Sequence, residues 1–252
     1  SYAEGNLYAT MGAEHQTPYG TLGVTTGKWY WEARCFDNGT NKFTYGVSDV
    51  NNSQLLQVSG SNFLLAVEAG TVTEGDAVAI YGASLHKNAS EIVTDIQTAL
   101  GDTDMVGIAL DADAGKVWFH REGIWVNGSA TASTTLNSGN HDTTVTTGET
   151  YVPAFAGETS NWMLNAGQDS SFAGSETGQN NTDSNGYGDF YYAVPTDFLA
   201  LCTKNLSAPA VIPSANFNTV LYSGNDGTQA ITGVGFQPDF TWIKCRSHGS
   251  SD

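Results

Sequence analysis

Short runs of β-branched and aromatic residues alternate along this chain with clusters of Gly, Asn, Asp and Ser, one run about every 8–15 residues. That rhythm leaves little room for helices and predicts an all-β fold of antiparallel strands joined by tight turns, a sandwich or a barrel. Strands are expected over 28–36, 42–48, 62–68, 77–82, 104–111, 115–120, 151–156 and 161–165. The stretch 90–100, "SEIVTDIQTAL", reads two ways: Ile92, Val93, Ile96 and Leu100 would line a helix capped by Ser90, while Ile92, Ile96 and Leu100 also share one face of a strand. The strand reading is preferred.

With 252 residues the chain fits one large β domain, or an ordinary domain followed by part of a second. Hydrophobic residues at 40% and aromatics at 11% supply a core. Nine Lys and Arg stand against 26 Asp and Glu, a formal charge of −17. Such a surface repels phosphate backbones and anionic lipid, so the expected partners include no nucleic acid. No apolar run reaches about 18 residues, so no membrane insertion is expected. Only 14% of residues are charged, which leaves a surface of Ser, Thr, Asn and Gly, a composition suited to secreted and virion proteins. Cys35, Cys202 and Cys245 are too few and too far apart for a disulfide framework or a thiolate zinc site, and are read as free thiols in strands. The opening "SYAEGNLYAT" lacks the basic and apolar regions of a signal peptide, and the sequence reads as a piece of a longer chain.

Two stretches, 127–148 and 173–188, are dominated by Asn, Gly, Ser and Thr and are expected to be long surface loops. Six Asn-X-Ser/Thr triplets, at Asn38, Asn51, Asn88, Asn127, Asn180 and Asn205, are taken as further signs of surface. After 205 the style changes. "LSAPAVIPS" has the look of a linker stiffened by Pro209 and Pro213, and strand, turn, strand patterning resumes beyond it. The expected organisation is a β-sandwich over 1–205, a linker over 206–215 and the start of a second β-rich module over 216–252.

Several residues invite chemistry. In "GKVWFHREG" the alternation places Val117 and Phe119 on one face and Trp118 and His120 on the other. If the first pair is core, the second faces outward, where Trp118 could stack on a sugar ring or fill an interface, unless another strand or loop covers it. Trp125, just past the Gly123 turn, and Tyr187, in the 173–188 loop, are further aromatic candidates for binding. For catalysis the pattern is poor. Glycoside hydrolysis needs two carboxylates about 5–10 Å apart across a cleft, and no strong strand here carries Glu-X-Glu or Glu-X-Asp. His15, His86, His120, His141 and His248 are scattered without metal-ligand spacing, and no nucleophile elbow, P-loop or dinucleotide fingerprint occurs. Asp111 and Asp113 in "DADAG", and Asp226 in "GNDGT", are candidate calcium ligands, though such residues more often bond their own turn backbone. No catalytic residue and no cofactor is expected, with calcium as the one metal left open.

The order of motifs resembles the SPRY domain family. "GKWYWEAR" at 27–34 and "YGVSD" at 45–49 are similar to the family's early strands. "DMVGIALDADAGKVWFHREGIWVNG" at 104–128 is similar to its hairpin, and "YVPAFAG" at 151–157 and "LNAGQDSSFAG" at 164–174 resemble its closing strands. The likeness covers roughly 1–205, and departs from the family's usual Asn-Gly in the second turn, which is Glu122-Gly123 here. It implies a concanavalin-like bent sandwich of two antiparallel sheets, with Trp31 in the inter-sheet core and Trp29 at its edge, that binds partners through loops at one end without catalysis. The style is also similar to SPRY modules embedded in tail and other structural proteins of bacteriophages, in which a stretch like 223–244 begins another sandwich.

These readings lead to an expected function. The chain is a non-enzymatic structural or binding module of a phage or phage-like virion, in the tail, fibre or surface decoration. It would be extracellular, assembled as a homo-oligomer or with other virion proteins, and able to adhere to a host surface glycan or protein. Binding would use loops near 37–42, 51–60, 127–148 and 173–188. Two alternatives stay open: a cellular SPRY adapter that binds a peptide, and a carbohydrate-active enzyme.

Overall fold

The computed structural model describes residues 2–3, 7–12, 17–37, 43–52, 75–94, 100–126, 133–136, 142–207 and 211–246. The strand expected over 62–68 lies outside these, as do His15, His141, His248 and much of the loops near 37–42, 51–60 and 127–148.

In chain order the strands are β1 (Tyr2–Ala3), β2 (Tyr8–Thr10), β3 (Lys28–Asp37), β4 (Phe43–Asp49), β5 (Ala77–Tyr81), β6 (Ser84–Lys87) and β7 (Ser90–Val93). There follow β8 (Met105–Asp111), β9 (Lys116–Arg121), β10 (Ile124–Trp125), β11 (Thr143–Thr144), β12 (Tyr151–Gly157), β13 (Asn161–Asn165) and β14 (Leu199–Ala200). Among the described residues they form two sheets. The larger runs β1-β2-β13-β3-β8-β9-β10, with β11 added to β9 and β14 to β3; the smaller runs β12-β4-β5-β6-β7. Every pairing is antiparallel except the two-residue contact of β14 with β3. The all-β fold expected from the turn rhythm, and the two sheets that the SPRY resemblance implied, are what the described residues form. The ambiguous stretch 90–100 begins as β7, a short strand at the edge of the smaller sheet, while 95–99 lie outside the described residues.

Alternation along each strand builds the core. Trp29, Trp31, Ala33 and Cys35 of β3 point between the sheets, where they join Ile108, Phe119 and Trp162 and meet Phe43, Tyr45, Val47, Val78, Ile80, Leu85 and Phe155. The Trp162 ring centroid lies 5.3 Å from that of Phe43 and 5.8 Å from that of Phe155. Trp31 is fully buried, and each aromatic so placed removes roughly 150–250 Å² from water. The glycine of "YGVSD" has a steric reason. A Cβ on Gly46 would stand 1.9 Å from the Val78 carbonyl oxygen on the neighbouring strand, so no larger residue fits.

Two of the three cysteines differ from expectation. Cys35 is buried in β3, but Cys202 is half-buried outside any strand and Cys245 is exposed. Cys202 follows β14 in irregular chain, and Cys245 lies in a strand-patterned segment that forms no strand among the described residues.

The chain divides into two compact units, Ser1–Leu206 and Ser207–Asp252. In the second, the described residues 211–246 carry a single 3-10 turn, Pro213–Ala215, and no strand. The strand-like pattern of that segment leaves Phe217, Phe240 and Trp242 exposed. Alternation needs a second apolar surface before it yields a stable sheet, and a lone hairpin is marginal in water.

Candidate functional site

The outer face of the larger sheet is where sequence and structure part company. Tyr30, Glu32 and Arg34 alternate with the core residues of β3, so they point away from the smaller sheet. A solvated face is the simple expectation, yet Tyr30 and Glu32 are fully buried and Arg34 nearly so. Residues 166–202, which follow β13, cross this face as an irregular strap. Phe190, Phe198 and Ala200 from the strap pack on Tyr30, Ala109, Trp118 and Trp125 from the sheet. Nearer the other end of the face Phe172 packs on Met105 and Met163, with Tyr8, Phe36, Tyr191 and Tyr192 around them.

One carboxylate fastens the strap. Glu32 Oε1 accepts hydrogen bonds from the Tyr192 amide at 2.8 Å and the Tyr30 hydroxyl at 2.8 Å, and Oε2 accepts from the Tyr191 amide at 2.9 Å and Asn165 Nδ2 at 3.3 Å. Burial pushes its carboxyl up to about 7, and the four donors pull against that rise. The Tyr30 hydroxyl also lies 2.8 Å from His120 Nε2, and His120 Nδ1 accepts the Gly123 amide at 3.3 Å. The imidazole is fully buried, which pushes it down to about 3 and keeps it neutral.

Glycine again makes the room. Gly107 of β8 pairs with both Glu32 and His120, and a Cβ there would lie 1.8 Å from His120 Nε2. The Glu122-Gly123 turn has positive φ at both residues, 50° and 72°, the geometry of a type I′ hairpin turn. Glu122 offsets the strain with its side chain. Its Oε1 accepts the Met105 amide, and its Oε2 accepts the Tyr192 hydroxyl at 2.9 Å.

The aromatic candidates can now be placed. Trp118, His120 and Trp125 come together on one face as their spacing requires, with the His120 and Trp125 ring centroids 4.7 Å apart. All three are buried beneath the strap, the covering segment being the alternative that the alternation left open. Tyr187 is the exception at 37% exposure, with the Lys204 ammonium 5.1 Å from its ring centroid. Asp111 Oδ1 accepts the Ala114 amide and so closes its own turn, Asp113 is exposed, and Asp226 sits exposed at a φ of 55° in the second unit. No group of three or more metal-ligating side chains occurs among the described residues.

The loop 173–188 that presents Tyr187 is tied down by side chains. Asp183 Oδ1 accepts the Asn185 and Tyr187 amides, and its Oδ2 accepts the Ala200 amide and Asn205 Nδ2, all at 2.7–2.9 Å. These donors hold its carboxyl below the usual range against the opposing effect of burial. Upstream, Asp169 accepts from Ser171 and Ala173, and the Ser170 hydroxyl accepts the Gln179 and Asn180 amides. Asp183→Asn keeps one accepting oxygen but turns an NH₂ toward two donors. It is expected to cost about 1.5–3 kcal/mol in denaturant unfolding at pH 7. The wild-type contribution of Asp183 is present above its unfolded pKa and lost as pH falls through its lower folded pKa, so the gap between the two proteins closes in acid.

Asp142 behaves in the opposite sense. Its Oδ2 accepts the Phe119 amide at 2.7 Å, but Oδ1 is buried without a hydrogen bond among the described residues, and burial pushes the carboxyl up to about 8. A raised folded pKa means stability that is present below the unfolded value and lost as pH rises through the folded one. Asp142→Asn is therefore expected to gain nothing near pH 3, to gain progressively from about pH 4 to pH 8, and to level off above that at about 2–4 kcal/mol. Thermal and denaturant unfolding across this range measures it.

Residues 212–252 match a family model described as a domain of unknown function, DUF7483. No curated protein matches the chain. Solved structures similar to it include the SPRY domain of human HERC1, at 14% identity, covering 61% of this chain and 83% of that chain with a TM-score of 0.40. A second human SPRY domain is 11% identical and covers 63% of this chain and 90% of that chain, with a TM-score of 0.41. A likeness at these identities says nothing of function.

Proposed function

We propose that the chain is a non-enzymatic binding module of a phage or phage-like virion, displayed on a tail, fibre or surface decoration, that grips a host surface glycan or protein through the 173–188 loop. The observation that carries the reading is the combination of an exposed Tyr187 with a loop held by the Asp169, Ser170 and Asp183 side chains. A loop ordered before its ligand arrives loses less conformational entropy on binding. Tyrosine supplies contact area with only two rotatable bonds and a hydroxyl at its tip. The perturbed groups that might have suggested catalysis, Glu32, His120 and Asp142, are buried, and hydrolysis of a polymer needs its carboxylates in a cleft. The Ser-, Thr-, Asn- and Gly-rich composition, with only 14% of residues charged, and the resemblance to phage-embedded modules support the setting in a virion.

Quantitative mass spectrometry of purified particles and of the matching cell lysate tests the setting. Recovery in particles at a stoichiometry near that of structural subunits supports it. Recovery in the soluble lysate alone overturns it and turns the reading to a cellular peptide adapter. For the loop, Tyr187→Ala is expected to weaken adsorption to host cells by about 1–3 kcal/mol, roughly 5- to 150-fold, with folding intact. Unchanged adsorption would remove Tyr187 from the contact.

A further inference from the structure

The hydrogen bonds around Tyr30 have a direction. The Gly123 amide points at His120 Nδ1, so in this arrangement Nδ1 is the acceptor and Nε2 carries the ring proton. Nε2–H then donates to the Tyr30 oxygen, and the single Tyr30 hydroxyl proton goes to Glu32 Oε1. Three side chains thus form a one-way chain from the Glu122-Gly123 turn to the carboxylate that clasps the strap.

A proton added to Glu32 meets a crowded site. Each carboxylate oxygen already accepts two donors. The one neighbour able to change from donor to acceptor is the Tyr30 hydroxyl, because the Tyr191 and Tyr192 amides and the Asn165 NH₂ can only donate. If Tyr30 accepts from Glu32, its own proton must go to His120 Nε2. Nε2 can accept only if the ring proton sits on Nδ1, where it opposes the Gly123 amide.

We infer that Tyr30 couples the strap's clasp to the β9–β10 turn: protonation of Glu32 reverses the hydrogen bonds through Tyr30, switches His120 from its Nε2–H to its Nδ1–H tautomer, and releases the Gly123 amide. The protons balance. One enters at Nδ1 from the turn, where Glu122 and Ile124 are exposed; the Nε2 proton passes to Tyr30, and the Tyr30 proton passes to Glu32. The ring ends neutral, in keeping with its burial. Of the other groups packed around the chain, only the Asp189 carboxylate has an open acceptor, its Oδ1 being buried without a hydrogen bond among the described residues. Opposite Glu32, β8 presents only Gly107; β13 presents Asn165; the strap presents Tyr191, Tyr192 and Asp189; Arg34, next on the same face of β3, is held by Glu176; and Glu122 accepts the Tyr192 hydroxyl.

Nitrogen-15 and carbon-13 spectra of the histidine side chains in the full chain test this, with His120 assigned by through-bond connection to Arg121. Between about pH 9 and about pH 5 the His120 nitrogen shifts are expected to exchange, protonated Nε2 giving way to protonated Nδ1, with a midpoint that matches the Glu32 carboxyl carbon. The Gly123 amide should exchange at least tenfold faster below the midpoint, after correction by the neighbouring Ile124 amide. In Tyr30→Phe the Glu32 titration should persist while the His120 tautomer stays fixed. An unchanged Nε2–H tautomer in the wild-type protein, or a doubly protonated ring in this range, would overturn the coupling, whether or not the variant folds.

Discussion

Replacing Glu32 by alanine is expected to destabilise the sandwich unit by about 3–5 kcal/mol, among the largest effects that any single polar residue has here. The substitution leaves the Tyr191 and Tyr192 amides, the Tyr30 hydroxyl and Asn165 Nδ2 without the acceptor they share. Each orphaned donor at a buried site costs about 1–3 kcal/mol, and a water that took the carboxylate's place could not accept from all four. Denaturant unfolding of the full chain, followed by tryptophan fluorescence, measures the loss. Trp118 and Trp125 lie beneath the strap while Trp31 and Trp162 lie between the sheets, so amide exchange should show the strap loosening before the core. A loss below about 1 kcal/mol would mean that the strap is held by Phe190 and Phe198 and that Glu32 contributes little.

Gly107→Ala is expected to cost at least about 3 kcal/mol, although it adds one methyl group to a strand. The Cβ would occupy space within 1.8 Å of His120 Nε2 and 2.4 Å of its Cδ2. Neither the ring nor the strand can retreat. The ring is enclosed by Tyr30, Trp125 and Tyr192, with centroids 4.7–6.0 Å away, and β8 is paired on both sides. Overpacking of a filled site usually costs about 1–3 kcal/mol, and here displacement of His120 also breaks its bonds to Tyr30 and Gly123. The companion variant Gly107→Ala with His120→Ala should recover much of the loss, since the second change removes the clashing ring. Failure of that recovery would place the strain in the backbone instead.

Much of the sandwich was legible because it depends on local alternation. The strands over 28–36, 104–111 and 151–156 are found at Lys28–Asp37, Met105–Asp111 and Tyr151–Gly157, since β-branched and aromatic runs bounded by turn residues have few other ways to bury one face. Trp31 in the core is what the SPRY resemblance implied; alternation alone placed it only on the same face as Trp29. The second unit shows its limit, because an identical style of pattern at 216–246 forms no strand among the described residues and leaves Trp242 exposed. Pattern announces which residues could face a core; it does not supply the opposing surface.

The site was half legible for the same reason. Alternation put Trp118 and His120 on the face away from the core, and that is where they are, but a period of two says nothing about what lies above that face. The donors that bury Glu32 come from 159 and 160 residues further along the chain. The clue available was the run "DFYYAVPTDFLA" at 189–200, too aromatic for an ordinary polar loop.

The amino-acid sequence by itself determined the raw material of the sandwich: which of its segments are extended, which side of each is apolar, and an acidic, polar exterior. Only the tertiary structure decided that the second face of the larger sheet is closed by a strap, that three titratable residues share one buried hydrogen-bond chain, and that Tyr187 stays exposed while Trp118 and Trp125 do not. The division has a simple cause. Alternation and turn chemistry act over a few residues, whereas burial and the proton affinities that follow from it depend on which distant segment arrives to exclude water.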